Sequence, residues 1–173
     1  FVPGMGQFDV DGLEARENTA DQAGGVAYID TYADIQAFGG ALCASNTAKR
    51  GAVAYLAGGG ELTVRDSTFV SNSATGSAGC FYIDANGDFT SQRNVHDDSQ
   101  SSGSAAVLFA EVFTRISIVD SVYENGYAVT MGGAILAEQA QSVSIANSTF
   151  RGNAAGDTGG AVHLVLTEDL SSS

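Results

Sequence analysis

Hydrophobic and small residues recur along the chain at a fixed interval of 27 residues. Three residues after each recurring small residue stands an aromatic or other apolar residue, except in the last coil, where His163 stands. Ten residues after each small residue stands a second apolar residue, from Ile35 to Leu170. A fixed period of about 20–50 residues is typical of solenoid proteins, whose coils stack on one another. The small residues are Gly25, Ala52, Gly79, Ala106, Gly133 and Gly160.

Within each period, apolar and polar residues alternate in three short segments. In the second coil these are VAYL at 53–56, LTV at 62–64 and STF at 67–69. Alternation with a period of two is typical of β-strands, and the Gly, Asn, Asp and Ser between the segments favour turns. We therefore predict one all-β domain over residues 1–173, a parallel β-helix of about six 27-residue coils with three short strands each. We expect it to be part of a larger protein or assembly.

The first strand of each coil predicts which side chains form the core. Two and four residues after the small residue, a large and a small apolar residue often stand together, as in Ala54 with Leu56 and Leu108 with Ala110. Such pairs fill a narrow interior at constant density, so we expect these columns to point inward. The residue between them then points outward, and we expect Val53, directly after its small residue, to share that outer face.

The outward column forms an aromatic and apolar stripe, called the ladder below. Stripes of this kind often mark a surface that another protein covers. We predict that a protein partner, or a further part of the same chain, docks at the ladder and at the open ends of the β-helix. The alternatives are that the stacked rings only stabilise the outer face, or that they contact a sugar or a pigment. The ladder consists of Tyr28, Tyr55, Tyr82, Phe109, Leu136 and His163.

Two motifs resemble a known repeat. GGAI at 132–135 and GGAV at 159–162 resemble one half of the polymorphic outer membrane protein repeat, and FxxN at 69–72 and 150–153 resembles the other. The resemblance implies a right-handed parallel β-helix of the pectin-lyase-like type. It also implies an adhesive or structural passenger rather than an enzyme. We therefore expect an extracellular or cell-surface location.

The chain is strongly acidic. Its formal net charge is −13, and Lys49 is the only lysine. Nucleic-acid binding needs clustered cations, so we expect no nucleic-acid partner. A basic partner or divalent cations would fit this charge better. The sequence contains no run of about 18 apolar residues, so we expect no transmembrane segment.

Two alternative functions belong to other classes of protein. The chain begins with FVP at 1–3, which resembles the phenylalanine-led motif at the processing site of plastid proteins in algae with red-type plastids. This resemblance implies a plastid location and an accessory structural subunit of a large membrane complex. The second alternative is an ice-binding solenoid, which needs flat columns of threonine. The best outward column fits this poorly, because it mixes Thr63 and Thr90 with Ser117 and Ser144.

A group of acidic residues at one corner of the coil is a weak candidate for a calcium site. Asp84, Asn86 and Asp88 stand at alternate positions, as calcium-binding side chains do in EF-hand loops. The loop departs from that pattern, because Phe89 replaces the glycine and Val95 replaces the closing glutamate. We expect no bound cofactor, with calcium as the alternative. The two predicted acidic columns are Asp30, Asp84, Glu111 and Glu138, and Asp34, Glu61 and Asp88.

One cluster suggests catalysis, but its other requirements are missing. His96, Asp97 and Asp98 resemble the paired acids of polygalacturonases, and paired carboxylates catalyse glycoside hydrolysis. The GHG and RIK segments of those enzymes are absent, so we do not expect an enzyme; a carbohydrate-active enzyme remains the alternative. We expect His96 to be a core residue, because it falls in a predicted inward column of Leu42, Phe69, Tyr123 and Phe150.

Asparagines have two predicted roles. Asn18, Asn72 and Asn153 share one lattice position, so we expect their amides to bond the backbone of one corner. Asn147 begins the N-glycosylation sequon NST at 147–149, which the lattice places at an exposed corner.

The two cysteines are predicted to be free thiols. Cys43 lies eighteen residues after its small residue and Cys80 only one residue after its own. The lattice therefore puts them on different corners and in different coils. A disulfide requires close Cα atoms, so we do not expect one here.

Overall fold

A computed structural model describes residues 7–30, 33–58, 60–84, 87–112 and 114–166, with residues 7, 8 and 33–37 described by backbone alone. The elements in these ranges are all β-strands. No helix in the described ranges is long and apolar enough to cross a membrane. The start of the chain at 1–3, the loop residue Asn86 and the lattice position Leu170 lie outside the described residues, as do the side chains of Asp34 and Ile35.

The strands form four parallel sheets of six strands each. The first sheet contains Gln7–Asp11, Ala33–Gly39, Gly60–Arg65, Gly87–Gln92, Arg115–Val119 and Ser142–Ala146. The second sheet contains Glu14–Arg16, Leu42–Ala44, Thr68–Val70, Val95–Asp97, Val122–Glu124 and Thr149–Arg151.

The third and fourth sheets complete each turn. The third sheet contains Thr19–Ala23, Thr47–Arg50, Ser73–Ala74, Gln100–Ser101, Tyr127–Ala128 and Ala154–Ala155. The fourth sheet contains Ala27–Ile29, Ala54–Leu56, Phe81–Ile83, Leu108–Ala110, Ile135–Ala140 and Val162–Leu166.

This arrangement confirms a parallel β-solenoid, of about five turns, with a repeat of 27 residues. Tyr28 pairs with Tyr55, and Tyr55 pairs with Tyr82, each 27 residues further on. The predicted three strands per turn are wrong, because each turn has four. Strands as short as Ser73–Ala74 complete the turn, and two residues are too few to show alternation in the sequence.

Two coils depart from the regular spacing, and in the first of them the shift moves core residues. The strand that ends at Gly39 contains a β-bulge, so its pairing with the next coil shifts by one residue. Phe38 lies in this bulge, buried and with a left-handed φ of 69°. In consequence Cys43, and not Leu42, pairs with Phe69 and is fully buried. The predicted inward position of Leu42 is therefore wrong.

The core lies inside the solenoid, where the predicted large and small pairs meet. Ala54 with Leu56 and Leu108 with Ala110 belong to one buried cluster. The prediction that Val53 faces outward is wrong, because Val53 belongs to the same cluster. The strand begins only at Ala54, and the corner before it turns the side chain of Val53 inward. The same holds for Cys80, Val107 and Ala134.

Three corners in each turn contain a residue in the left-handed conformation. The first two corners carry exposed residues such as Asp66 and Asp98, whose side chains have room. The third corner is crowded, because a Cβ added to Gly51 would lie 2.3 Å from the carbonyl oxygen of Ala54. The recurring small residues directly after this corner are equally confined, since a Cβ added to Gly79 would lie 2.2 Å from the carbonyl oxygen of Ala106. The third corner consists of Gly24, Gly51, Ala78, Ala105, Gly132 and Gly159.

A column of asparagines fixes the second corner, and the predicted amide-to-backbone bonds are confirmed for Asn72 and Asn153, whereas the Asn18 amide bonds another asparagine. The amide of Asn72 donates to the carbonyl oxygen of Cys43 at 2.9 Å, and that of Asn153 donates to Tyr123 at 2.8 Å. Asn46 also belongs to the column and bridges its two neighbours. The Asn18 amide donates to the side-chain oxygen of Asn46 at 2.9 Å, and the Asn46 amide donates to the side-chain oxygen of Asn72 at 2.9 Å. The regular lattice missed Asn46 because the bulge displaces it by one residue.

Candidate functional site

The ladder runs in register along the fourth sheet. The rings of Tyr28 and Tyr55 stack with centroids 5.3 Å apart and planes 3° apart. Tyr55 stacks on Tyr82 at 5.0 Å, and Tyr82 stacks on Phe109 at 4.8 Å. Leu136 and His163 continue the column by strand pairing. These spacings follow the distance between neighbouring strands, so the stack is a direct product of the repeat.

The ladder lies apart from the core, and most of it is covered by the chain itself. Tyr55, Tyr82, Phe109 and Leu136 form a second buried cluster, separate from the interior one. Their cover includes Ala78 and Ala105 of the crowded third corner, with Met131 packed against the cluster. The ladder opens to solvent at Tyr28, whose exposed fraction is 56%.

Two ladder hydroxyls bind carboxylates of the predicted acidic column. Tyr55 donates a hydrogen bond to Asp84, and Tyr82 donates one to Glu111. Burial, and then these hydrogen bonds, raise the pKa of both tyrosines above the usual value. The hydroxyls therefore stay protonated at neutral pH. Each pair joins positions 29 residues apart.

Arg50 joins the ladder from the third sheet and is not among the residues predicted for this site. Its guanidinium carbon lies 5.1 Å from the ring centroid of Tyr55 and 5.6 Å from that of Tyr82. A cation over an aromatic face is attracted by the ring electrons, which contributes roughly 0.5–2 kcal/mol. Arg50 lies in a different strand of the turn, so its sequence position gives no signal of this contact.

The second acidic column is partly neutralised by arginine. Glu61 pairs in register with Asp88, and Asp88 pairs with Arg115 in the next coil. An Arg115 nitrogen lies 2.5 Å from a carboxylate oxygen of Asp88, and this pair raises the pKa of Arg115. Both residues line a shallow depression of about 220 Å³ on the first sheet, together with Thr90 and other residues.

The two predicted calcium ligands that the structure describes already bind other side chains. Asp84 accepts a hydrogen bond from Tyr55, and Asp88 binds Arg115. The third candidate, Asn86, lies outside the described residues. Among the residues that the structure does describe, no three His, Cys, Asp or Glu side chains come together as metal ligands.

His96 is a core residue, as predicted. Its ring is fully buried between Phe69 at 4.7 Å and Tyr123 at 4.6 Å. Both ring nitrogens lack a hydrogen-bond partner within the described part of the chain. Burial lowers the pKa of His96 to about 3, so the ring is neutral at ordinary pH.

The other members of the suspected catalytic cluster lie outside the core. Asp97 accepts a hydrogen bond from Asn125 at 2.8 Å, and Asp98 accepts one from Ser71 at 3.0 Å. Strand alternation turns His96 inward and Asp97 outward, so the three side chains do not converge on one point.

The two cysteines are free thiols, as predicted, and both are buried. Burial raises the pKa of Cys43 and of Cys80 to about 12. The Cys80 sulfur lies 3.2 Å from the Ser99 hydroxyl. Because the thiolate is the reactive form, neither residue has the properties of a nucleophile.

Comparison of the chain with protein-family models, curated proteins and solved structures found no match. The similarity to the polymorphic outer membrane protein repeat therefore depends on the quoted motifs.

Proposed function

We propose that this chain is a non-enzymatic structural and interaction module that docks a protein partner at the open end of the ladder. The observation that carries the proposal is Tyr28, a ring that is 56% exposed and stacked on a buried aromatic column. The rings below it are fixed by their cover and by the Tyr55–Asp84 hydrogen bond. A partner that buries Tyr28 therefore meets a preorganised surface, which lowers the entropic cost of binding.

Charge favours a basic partner. Asp30, two residues after Tyr28, is exposed, and the chain has a formal net charge of −13. Tyrosine and arginine are enriched at protein interfaces, and opposite charges at the rim accelerate association. A partner with an apolar pocket for Tyr28 and arginine or lysine at its rim fits this chemistry.

The sequence motifs support the same class of function. The GGAI, GGAV and FxxN segments resemble repeats of adhesive or structural passengers, and the parallel β-solenoid agrees with that architecture. We propose an extracellular or cell-surface location on this basis.

A photoreactive phenylalanine analogue at position 28 tests the docking proposal. The matched control carries the analogue at position 127, because Tyr127 is also an exposed tyrosine, 47% exposed against 56% for Tyr28, and lies on the third sheet. Both proteins are irradiated in an extract of the native source, and the cross-linked proteins are identified and purified. We expect a defined partner at position 28 alone, and at least tenfold weaker binding of it by Tyr28→Ala than by Tyr127→Ala. Equal cross-linking at both positions, or equal binding by both variants, would overturn the proposal.

A further inference from the structure

Asn147 differs from every other asparagine in the described part of the chain. The side chains of Asn18, Asn46, Asn72, Asn94, Asn125 and Asn153 all donate hydrogen bonds. Asn147 is exposed, and its side chain forms none within the described residues. The fold therefore gives its amide no structural role.

The corner around Asn147 directs its side chain into solvent. Asn147 has a left-handed φ of 48°, at the corner between the first and second sheets. Asp66, Arg93 and Asp120 occupy the same corner in earlier coils, and all three are exposed. A charged side chain is accommodated in each of those coils, so a large polar group at this corner has room as well.

The two residues after Asn147 complete the sequon in a suitable geometry. Ser148 holds the turn, because its hydroxyl donates to the carbonyl oxygen of Ala146 at 2.8 Å and accepts the Ser121 amide at 3.1 Å. Thr149 is exposed, and its hydroxyl has no hydrogen-bond partner among the described residues. Ser148, the middle residue of the motif, is thus held by hydrogen bonds within the fold. Asn147 and Thr149, the two residues that define the sequon, remain exposed to solvent.

From this juxtaposition we propose that Asn147 is an acceptor site for an N-linked oligosaccharide. The co-substrate is an oligosaccharide attached to a polyprenyl pyrophosphate, and an oligosaccharyltransferase recognises the Asn147 amide with the Thr149 hydroxyl. The amide nitrogen forms a bond to C1 of the first sugar and loses one proton. The C1–oxygen bond to the pyrophosphate breaks, and the lipid pyrophosphate leaves with the bonding electron pair. This site does not depend on docking at the ladder.

Mass spectrometry of the secreted chain tests the proposal. The full chain is expressed with a secretion leader in a eukaryotic host, and its mass is measured before and after treatment with a glycan-releasing amidase. We expect a glycan that the amidase removes, leaving aspartate at position 147. Asn147→Gln and Thr149→Ala should abolish it, and Thr149→Ser should retain it.

Protein from the native source provides the decisive comparison. We expect the peptide that contains position 147 to carry the same amidase-sensitive mass. A folded, secreted wild-type chain without a glycan, or a native peptide found only unmodified, would overturn the proposal.

Discussion

The molecule contains two aromatic stacks with the same spacing and different surroundings. Inside the solenoid, the rings of Phe69, His96, Tyr123 and Phe150 stack at 4.6–4.8 Å. On the outside, the rings from Tyr28 to Phe109 stack at 4.8–5.3 Å. The spacing follows from strand pairing in both cases, so stacking alone does not distinguish core from surface.

The partners of the polar atoms distinguish the two stacks. The outer hydroxyls of Tyr55 and Tyr82 reach carboxylates, and Tyr28 is open to water. Inside, the Tyr123 hydroxyl donates to the buried Ser91 hydroxyl at 3.0 Å, and His96 has two unpartnered nitrogens within the described structure. The inner stack therefore contributes to stability through burial, and we infer that the outer stack presents a fixed surface.

The largest effect is expected from deleting an inner ring. Phe69→Ala should lower the free energy of unfolding by about 3–5 kcal/mol, because it removes a fully buried ring and leaves a cavity. Urea denaturation measures the change. Val95→Ala is the matched control, since Val95 lies in the same sheet but is 41% exposed and should change stability by about 0.5 kcal/mol or less. Similar losses in both variants would contradict the assignment of inside and outside.

Acid should weaken the inner stack through His96. Its folded-state pKa of about 3 lies below the unfolded value of 6.5, so the unfolded chain binds more protons between these values. Stability should therefore be full above pH 6.5 and fall toward pH 3, by up to about 1.4 kcal/mol per pH unit. The free energy of unfolding is measured against pH for wild type and for His96→Phe. Both proteins contain the same carboxylates, so the difference between the two curves reports the titration of His96. A pH-independent difference would contradict the buried position of His96.

At neutral pH, His96→Phe should stabilise the protein. The substitution replaces two unpartnered buried nitrogens by apolar carbons in a column that already holds Phe69 and Phe150. Relief of their desolvation should raise the free energy of unfolding by about 1–3 kcal/mol. Thermal denaturation measures the change. His96→Ala is the control, because it leaves a cavity and should be less stable than wild type. A less stable His96→Phe protein would show that the histidine has an unrecognised partner.

A smaller effect is expected from the outer hydroxyls. Tyr82→Phe removes the hydrogen bond to Glu111, which costs about 1 kcal/mol because the half-buried carboxylate can still reach water. Tyr127→Phe is the control, because its exposed hydroxyl forms no hydrogen bond in the described structure. A double-mutant cycle with Glu111→Gln measures the coupling. No coupling would mean that the outer stack is not fixed by its acidic column.

Much of the fold could be predicted because the repeat is visible in the residues. The 27-residue spacing alone predicted the pairing of Tyr28 with Tyr55 and the stacking of His96 between Phe69 and Tyr123. The bulge at Phe38 was not predictable, because the extra residue between Ile35 and Gly39 is offset by one residue fewer between Ala48 and Ala54, so the ladder keeps its 27-residue spacing. The third sheet was missed because four of its six strands have only two residues, too few to show alternation.

The site was predicted only in part. The ladder was correctly placed outside the core, but the cover over it was not expected. That cover depends on Ala78 and Ala105, which adopt left-handed φ values of 63° and 59° at the third corner. Backbone handedness at alanine is set by the neighbouring coils, so it cannot be derived from the local sequence.

We propose that the open end of the ladder serves recognition and is not required for folding. The most direct test measures Tyr28→Ala in two ways, by urea denaturation and by binding to the partner that cross-links at position 28. We expect the free energy of unfolding to fall by about 1 kcal/mol or less and the partner to bind at least tenfold more weakly. A loss of several kcal/mol, comparable with that of Phe69→Ala, together with unchanged binding would contradict it.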